Sequence, residues 1–107
     1  MEKDLLKIEI IKEYFNKKQI YYTKHFLNRI HKRNISIEDI KLAIKAGKII
    51  EYYYNDFPYP SCLILGYTLN NIAIHIVCGI KDNMLYMITA YYPDEEKWIN
   101  DMEKRRN

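Results

Sequence analysis

Apolar positions recur every three or four residues along the first half of the chain, and the spacing changes abruptly at Lys48. Leu5, Leu6, Ile8, Ile10, Ile11, Tyr14 and Phe15, interspersed with Lys and Glu, predict an amphipathic helix over residues 4–18, with a short strand at Ile8–Ile11 as the weaker alternative. Ile20-Tyr21-Tyr22 reads as a brief extended link. Thr23 is a suitable N-cap for a second helix reaching Arg33, and Asn34 can close it in a left-handed conformation. Ser36, followed by Glu38 and Asp39, caps a third helix, whose buried stripe is Ile40, Ala43 and Ile44 and whose expected stop is Gly47.

Beyond Lys48 the residues favour strands. Ile49–Tyr54, Ser61–Leu69, Ile72–Ile80 and Met84–Tyr92 are rich in β-branched and aromatic side chains. The turn through Asp56-Phe57-Pro58-Tyr59-Pro60, the Asn70-Asn71 pair and Lys81-Asp82-Asn83 separate them, and connections this short predict an antiparallel meander. Pro93 and Asp94 then open a last predicted helix, with Trp98, Ile99 and Met102 on one face and Arg105 near its end. The expected fold is α+β: N-terminal helices, a four-stranded antiparallel sheet and a C-terminal helix, in a single domain over residues 1–107.

Composition narrows the function classes. With 107 residues, 49% of them hydrophobic, one core is attainable without metal or disulfide support. Cys62 and Cys78 are too few for a disulfide framework or a zinc site, and both fall within apolar strand-like runs. No apolar run approaches the ~20 residues that cross a bilayer, and Met1-Glu2-Lys3-Asp4 is not a signal-peptide pattern, so the expected compartment is the cytoplasm, with no membrane partner. The net charge of +3 permits a polyanionic partner without demanding one. The 11 tyrosines suit base stacking, interfaces and half-exposed sheet faces alike.

Candidate chemistry concentrates first in the second helix. His25, Arg29 and Arg33 are four residues apart and form one drifting stripe that borders the apolar face of Phe26, Leu27 and Ile30. An imidazole and two guanidiniums at the edge of a core can hold phosphate and move a proton, although basic helix flanks are also common as plain surface. In the third predicted strand Ile72, Ile74, Ile76 and Cys78 share the face that should meet the helices, which leaves His75 on the more open face. Thr89 and Tyr91 share parity in the fourth strand, and whether they join His75 depends on register.

Several motifs stand together in order: His25-x3-Arg29-x3-Arg33 followed by Ile35, then Gly47-Lys48-Ile49-Ile50-Glu51, the Asp56–Pro60 turn, His75-Ile76-Val77, and Thr89-Ala90-Tyr91-Tyr92-Pro93-Asp94 with Trp98. This set resembles a bacterial domain-of-unknown-function family placed near the RelE and BrnT toxins of the Barnase–EndoU–colicin–RelE ribonuclease fold. The resemblance runs from Thr23 onward and omits the first helix. It implies a RelE-like toxin of a type II toxin–antitoxin system, a metal-independent endoribonuclease that needs no cofactor. Such an enzyme transfers the phosphodiester to the neighbouring 2′-OH of RNA. On that reading His25 is the general base, near the positive end of its helix, Arg29 steadies the phosphate, and His75 is the acid. Thr89 and Tyr91 position phosphate or proton, and Arg33, Lys81 and Arg105 hold RNA. The implied partners are RNA and a cognate antitoxin protein. Two other readings fit the residues: a non-catalytic RNA- or protein-binding module with a tyrosine-rich sheet face, and a structural subunit that forms a homodimer through its exposed tyrosines.

Overall fold

The computed structural model of the chain describes residues 5–99 and 101–106. Three helices, α1 (Ile8–Asn16), α2 (Lys24–Lys32) and α3 (Ile37–Lys45), pack on one face of a five-stranded sheet. Its strands are β1 (Ile20–Tyr22), β2 (Lys48–Tyr53), β3 (Ser61–Tyr67), β4 (Ala73–Lys81) and β5 (Met84–Tyr91), in the spatial order β1-β5-β4-β3-β2. A separate hairpin of β6 (Trp98–Ile99) and β7 (Lys104–Arg105) completes the fold.

The helix boundaries follow their caps. The Thr23 hydroxyl accepts the Phe26 N–H at 2.9 Å, and Asn34 ends the second helix with φ 56°. Ser36 and Asp39 form a reciprocal capping box at the start of α3. The residues of α1 adopt the helix, not the strand alternative; Asp4, where that helix was expected to begin, lies outside the described residues. Gly47 follows α3, but not as a left-handed stop. Its φ is negative, and a side chain there would run into the Ala43 carbonyl and the Ile64 side chain.

Two expectations are corrected. The sheet has five strands and is mixed, because Ile20–Tyr22, read as a link, is an edge strand running parallel to β5, with Ile20 opposite Leu85 and Tyr22 opposite Met87. A parallel neighbour needs a long crossover, and everything from α2 to β4 supplies it. Adjacency in sequence therefore gave no hint of the pairing. The second correction is the C-terminal helix. Residues 95–97 form a turn, and the chain then makes the β6–β7 hairpin, with Asp101 and Met102 at φ 57° and 68°. Those values reverse the chain where a helix needs φ near −63°. Asn100, within the expected helix, lies outside the described residues.

The hairpin exists because the second sheet face also needs cover. Ile74, Ile76, Cys78, Leu85, Met87 and Ala90 point into the helix-side core. The opposite face carries Leu63, Leu65 and His75, all buried, and Trp98 of β6 folds back over this side with only 4% of its surface exposed. Among the described residues no helix is long and apolar enough to cross a membrane.

Candidate functional site

The register of β4 and β5 assembles the site. His75 lies opposite Tyr91, and Val77 opposite Thr89. A bulge makes this alignment compatible with the core: Met87 pairs with Cys78 and Thr89 with Val77, which leaves Ile88 as the extra residue. Met87 and Ala90 are three positions apart, yet both are buried on the helix side. Without the extra residue one of the two faces would be out of phase. The bulge thus lets Thr89 and Tyr91 share the far face with His75.

His75 is not the open ligand-facing residue its strand parity suggested. It is completely buried, because the C-terminal hairpin covers it. Its Nε2 is 2.7 Å from the Met102 carbonyl oxygen, and its ring meets Trp98 edge-on with centroids 4.4 Å apart. A carbonyl cannot donate, so Nε2 carries the proton and donates it. In the neutral ring Nδ1 is then a bare acceptor, and it faces the Tyr91 hydroxyl at 3.4 Å. Burial lowers the His75 pKa and outweighs the opposing effects of the Met102 carbonyl and Glu51, which favours this neutral form.

Tyr91 is the point where the buried pair meets solvent. It is half-buried and lines a cleft of about 290 Å³ together with Tyr92, Asp94, Lys97, Trp98 and Arg105. Burial raises its pKa, whereas the Arg105 and Arg33 charges act in the opposite direction. Two guanidiniums therefore lie within electrostatic reach of one phenol.

Each arginine is held by the fold. The β1 strand covers β5 only as far as Met87, so the edge beyond it is open. Arg33, at the C-terminal end of α2, fills part of that edge: Nη1 donates to the Ala90 carbonyl at 2.7 Å and lies 3.5 Å from the Thr89 hydroxyl. Arg105 reaches the site from β7. Its Nε donates to Glu51 at 2.9 Å, and its guanidinium stacks over Trp98, 4.7 Å from the ring centroid. Glu51 also accepts the Tyr53 hydroxyl at 2.6 Å. Lys48 pairs with Glu103, which ties the hairpin to β2 a second time.

The fold brings His75, Thr89, Tyr91, Arg33 and Arg105 into one neighbourhood. It does not bring His25, Arg29 or Lys81 there. His25 and Arg29 are exposed on α2, and their side chains make no hydrogen bond among the described residues. Eight residues of helix put His25 about 12 Å from Arg33 along the axis. Lys81 is at the far end of β4, about 20 Å from His75 by strand rise. The sequence reading gave no site role to Asp94, Lys97, Tyr92, Trp98 or Glu51. Trp98 and Asp94 fit packing and capping roles in the expected helix, and Glu51 stands inside a strand run. A lone carboxylate at an otherwise apolar strand position is the signal that could have singled out Glu51.

Residues 22–92 match a family described as Domain of unknown function (DUF4258), two-thirds of the chain. The protein belongs to this family. The DUF4258 match runs from Tyr22, the last residue of β1, to just past β5 and thus contains Arg33, His75, Thr89 and Tyr91, whereas α1, the rest of β1 and the hairpin with Arg105 fall outside it. No curated protein and no solved structure matches the chain. Among the described residues there is no cluster of three or more His, Cys, Asp or Glu side chains placed to hold a metal ion.

Proposed function

We propose that the protein is a metal-independent endoribonuclease whose scissile phosphate sits in the cleft at Tyr91, and that it serves as the toxin of a type II toxin–antitoxin pair in the cytoplasm. One observation carries the reading: a buried neutral imidazole presents its bare Nδ1 to the hydroxyl of a tyrosine that lines a cleft with Arg105, and the Arg33 charge also acts on that phenol. The toxin assignment rests on the ordered motifs that resemble the RelE and BrnT group.

The arrangement suits transfer of the phosphodiester to the adjacent 2′-OH. The 2′-oxygen attacks phosphorus and the P–O5′ bond breaks, leaving a 2′,3′-cyclic phosphate. Tyr91 receives the 2′-OH proton on its oxygen and passes its own proton to Nδ1 of His75, whose Nε2 stays anchored on the Met102 carbonyl. Lys97 gives a proton to the departing 5′-oxygen; once the products leave, His75 returns the proton it took to solvent through the Tyr91 hydroxyl and Lys97 takes one up, so that both groups regain their starting forms. Arg105 and Arg33 offset the charge that develops on the phosphorane. Tyr92 offers exposed aromatic surface to a flanking base. In this scheme His75 acts through Tyr91, and the exposed stripe of His25 and Arg29 lies along the incoming RNA strand. An antitoxin that covers the cleft would block the reaction by occlusion.

Purified protein incubated with a single-stranded RNA in EDTA tests this. Cleavage is expected, with cyclic phosphate ends, and none on a strand whose 2′-hydroxyls are replaced by hydrogen. Tyr91→Phe is expected to slow the reaction by about a hundredfold or more. Equal cleavage by Tyr91→Phe would remove the mechanism. RNA binding without cleavage by the parent would leave the non-catalytic binding module in its place.

A further inference from the structure

On the opposite side of the molecule from the hairpin, the C-terminal end of α1, strand β1 and the start of α3 enclose a groove of about 410 Å³, and a smaller cavity of about 150 Å³ adjoins it between α1 and α3. The two share Phe15, Asn16 and Lys41 and so form one continuous depression. Its larger part falls in the size range of ligand-accepting pockets, roughly 300–1,000 Å³. Phe15, Ile20, Tyr22 and Ile37 supply the apolar surface, and Ile37 leaves 40% of its area to solvent. The rim is of one sign. Lys12, Lys18, Lys41 and Lys45 line the two cavities, and among the described residues no carboxylate does. None of these four lysines takes part in a salt bridge among the described residues, and Glu13 on α1 is paired with Lys17.

An apolar trough lined by four ammonium groups has a defined complement. We infer that this groove docks an acidic amphipathic segment of a partner protein, whose apolar side chains fill the trough while its carboxylates meet Lys12, Lys18, Lys41 and Lys45. The apolar contacts provide the affinity, and the lysine ring fixes the sign of the partner and speeds its approach. Four of the residues that form the trough and rim, Lys12, Phe15, Lys18 and Ile20, precede the DUF4258 match. Recognition at this groove is therefore a property that the N-terminal segment adds to the family domain. It is independent of the cleft at Tyr91.

The probe is a fluorescent peptide of about 18 residues with Leu at i, i+3, i+4 and i+7 and Glu on both flanks. Saturable binding to the full chain is expected, weakened by about tenfold or more in Lys41→Glu and in Ile37→Asp. Ile37→Asp puts an acid in the first turn of α3, which the helix accepts, and circular dichroism checks that both variants fold. Arg33→Ala and Arg105→Ala are expected to bind the peptide as the parent does, so a failure of the RNA reading leaves this one standing. The inference is overturned by any of three results: no saturable binding, equal affinity for a peptide with Lys in place of Glu, or unchanged affinity in both variants. It is also overturned if phosphatidylglycerol vesicles or a single-stranded RNA, and not the peptide, lose binding in Lys41→Glu.

Discussion

His75 and Tyr91 stand directly opposite each other on β4 and β5, with the imidazole Nδ1 3.4 Å from the phenolic oxygen. The pair couples the C-terminal hairpin to the cleft, since the same imidazole donates to the Met102 carbonyl from its other nitrogen and packs against Trp98. The orientation of Tyr91 therefore depends on whether the hairpin is docked.

That coupling makes stability dependent on pH in a defined window. Burial holds the folded-state pKa of His75 below its ordinary 6.5. The unfolded chain then binds a proton that the folded chain does not. The contribution of His75 is fully present above about 6.5 and is lost as pH falls from there through the lowered value. Arg105, Glu51 and Tyr91 also face the ring, and the guanidinium stays charged throughout. The melting temperature of the parent should fall between pH 7 and pH 5, and that of His75→Gln should fall less, because the amide can donate to Met102 without titrating. Parallel curves for the two proteins would mean that His75 does not report the docking.

Glu51 is the other tie between sheet and hairpin. It accepts both Arg105 and the Tyr53 hydroxyl, so Glu51→Ala leaves a phenol and a guanidinium without their partner. The expected loss is about 1 kcal/mol in urea unfolding, at the low end for bonds to a charged group because the site is partly exposed. Trp98 is the single tryptophan, and its emission should shift to longer wavelength as the hairpin loosens. An unchanged spectrum with unchanged stability would show that Glu51 does not hold the hairpin.

A third test concerns the contact of α3 with β3. A Cβ on Gly66 would lie 2.6 Å from both the Cα and the Cβ of Ala43, and backbone there cannot move aside as a flexible side chain could. Gly66→Ala should destabilise the protein by about 1–3 kcal/mol through overpacking. Gly66→Ala with parent-like stability would mean that the two elements separate at little cost.

How far these features could be read from the sequence depended on how local their causes are. The caps at Thr23, Asn34 and Ser36, the turn at Asp82 and Asn83 with φ 51° and 60°, and the partition of Ile74 and Ile76 from His75 each follow from a few adjacent residues. The pairing of β1 with β5 joins Ile20 to Leu85 across most of the chain, and nothing near Ile20 encodes it. The hairpin was hidden for a related reason. Trp98, Ile99 and Met102 fit a helical face in spacing, but an unfilled sheet face around His75 decided their conformation. The site divides the same way. Thr89 and Tyr91 join His75 only through a bulge at Ile88, and Arg105 arrives through the hairpin.

Asp39 provides the last test, because it combines a local cap with a long-range bond. Its carboxylate accepts the Ser36 backbone N–H at 3.1 Å and, with its other oxygen, the Leu69 N–H at 3.1 Å, so the start of α3 is fastened to the turn between β3 and β4. Burial acts to raise its pKa, but the bonds from Leu69 and Ser36 outweigh it and the net shift is downward from 3.8. The carboxylate is therefore the favoured form in the folded chain. Its contribution is present above about 3.8 and disappears as pH falls through the lowered value, well below the window of His75. Asp39→Ala should cost about 1–2 kcal/mol at neutral pH, somewhat more than a cap alone because the Leu69 N–H also loses its acceptor. The loss should shrink as pH falls below 3.8 through the lowered value, where the parent carboxylate takes up a proton. Urea titrations of parent and variant at pH 7 and pH 3 measure both numbers, and an equal difference at the two pH values would show that the ionised form of Asp39 is not what secures the turn.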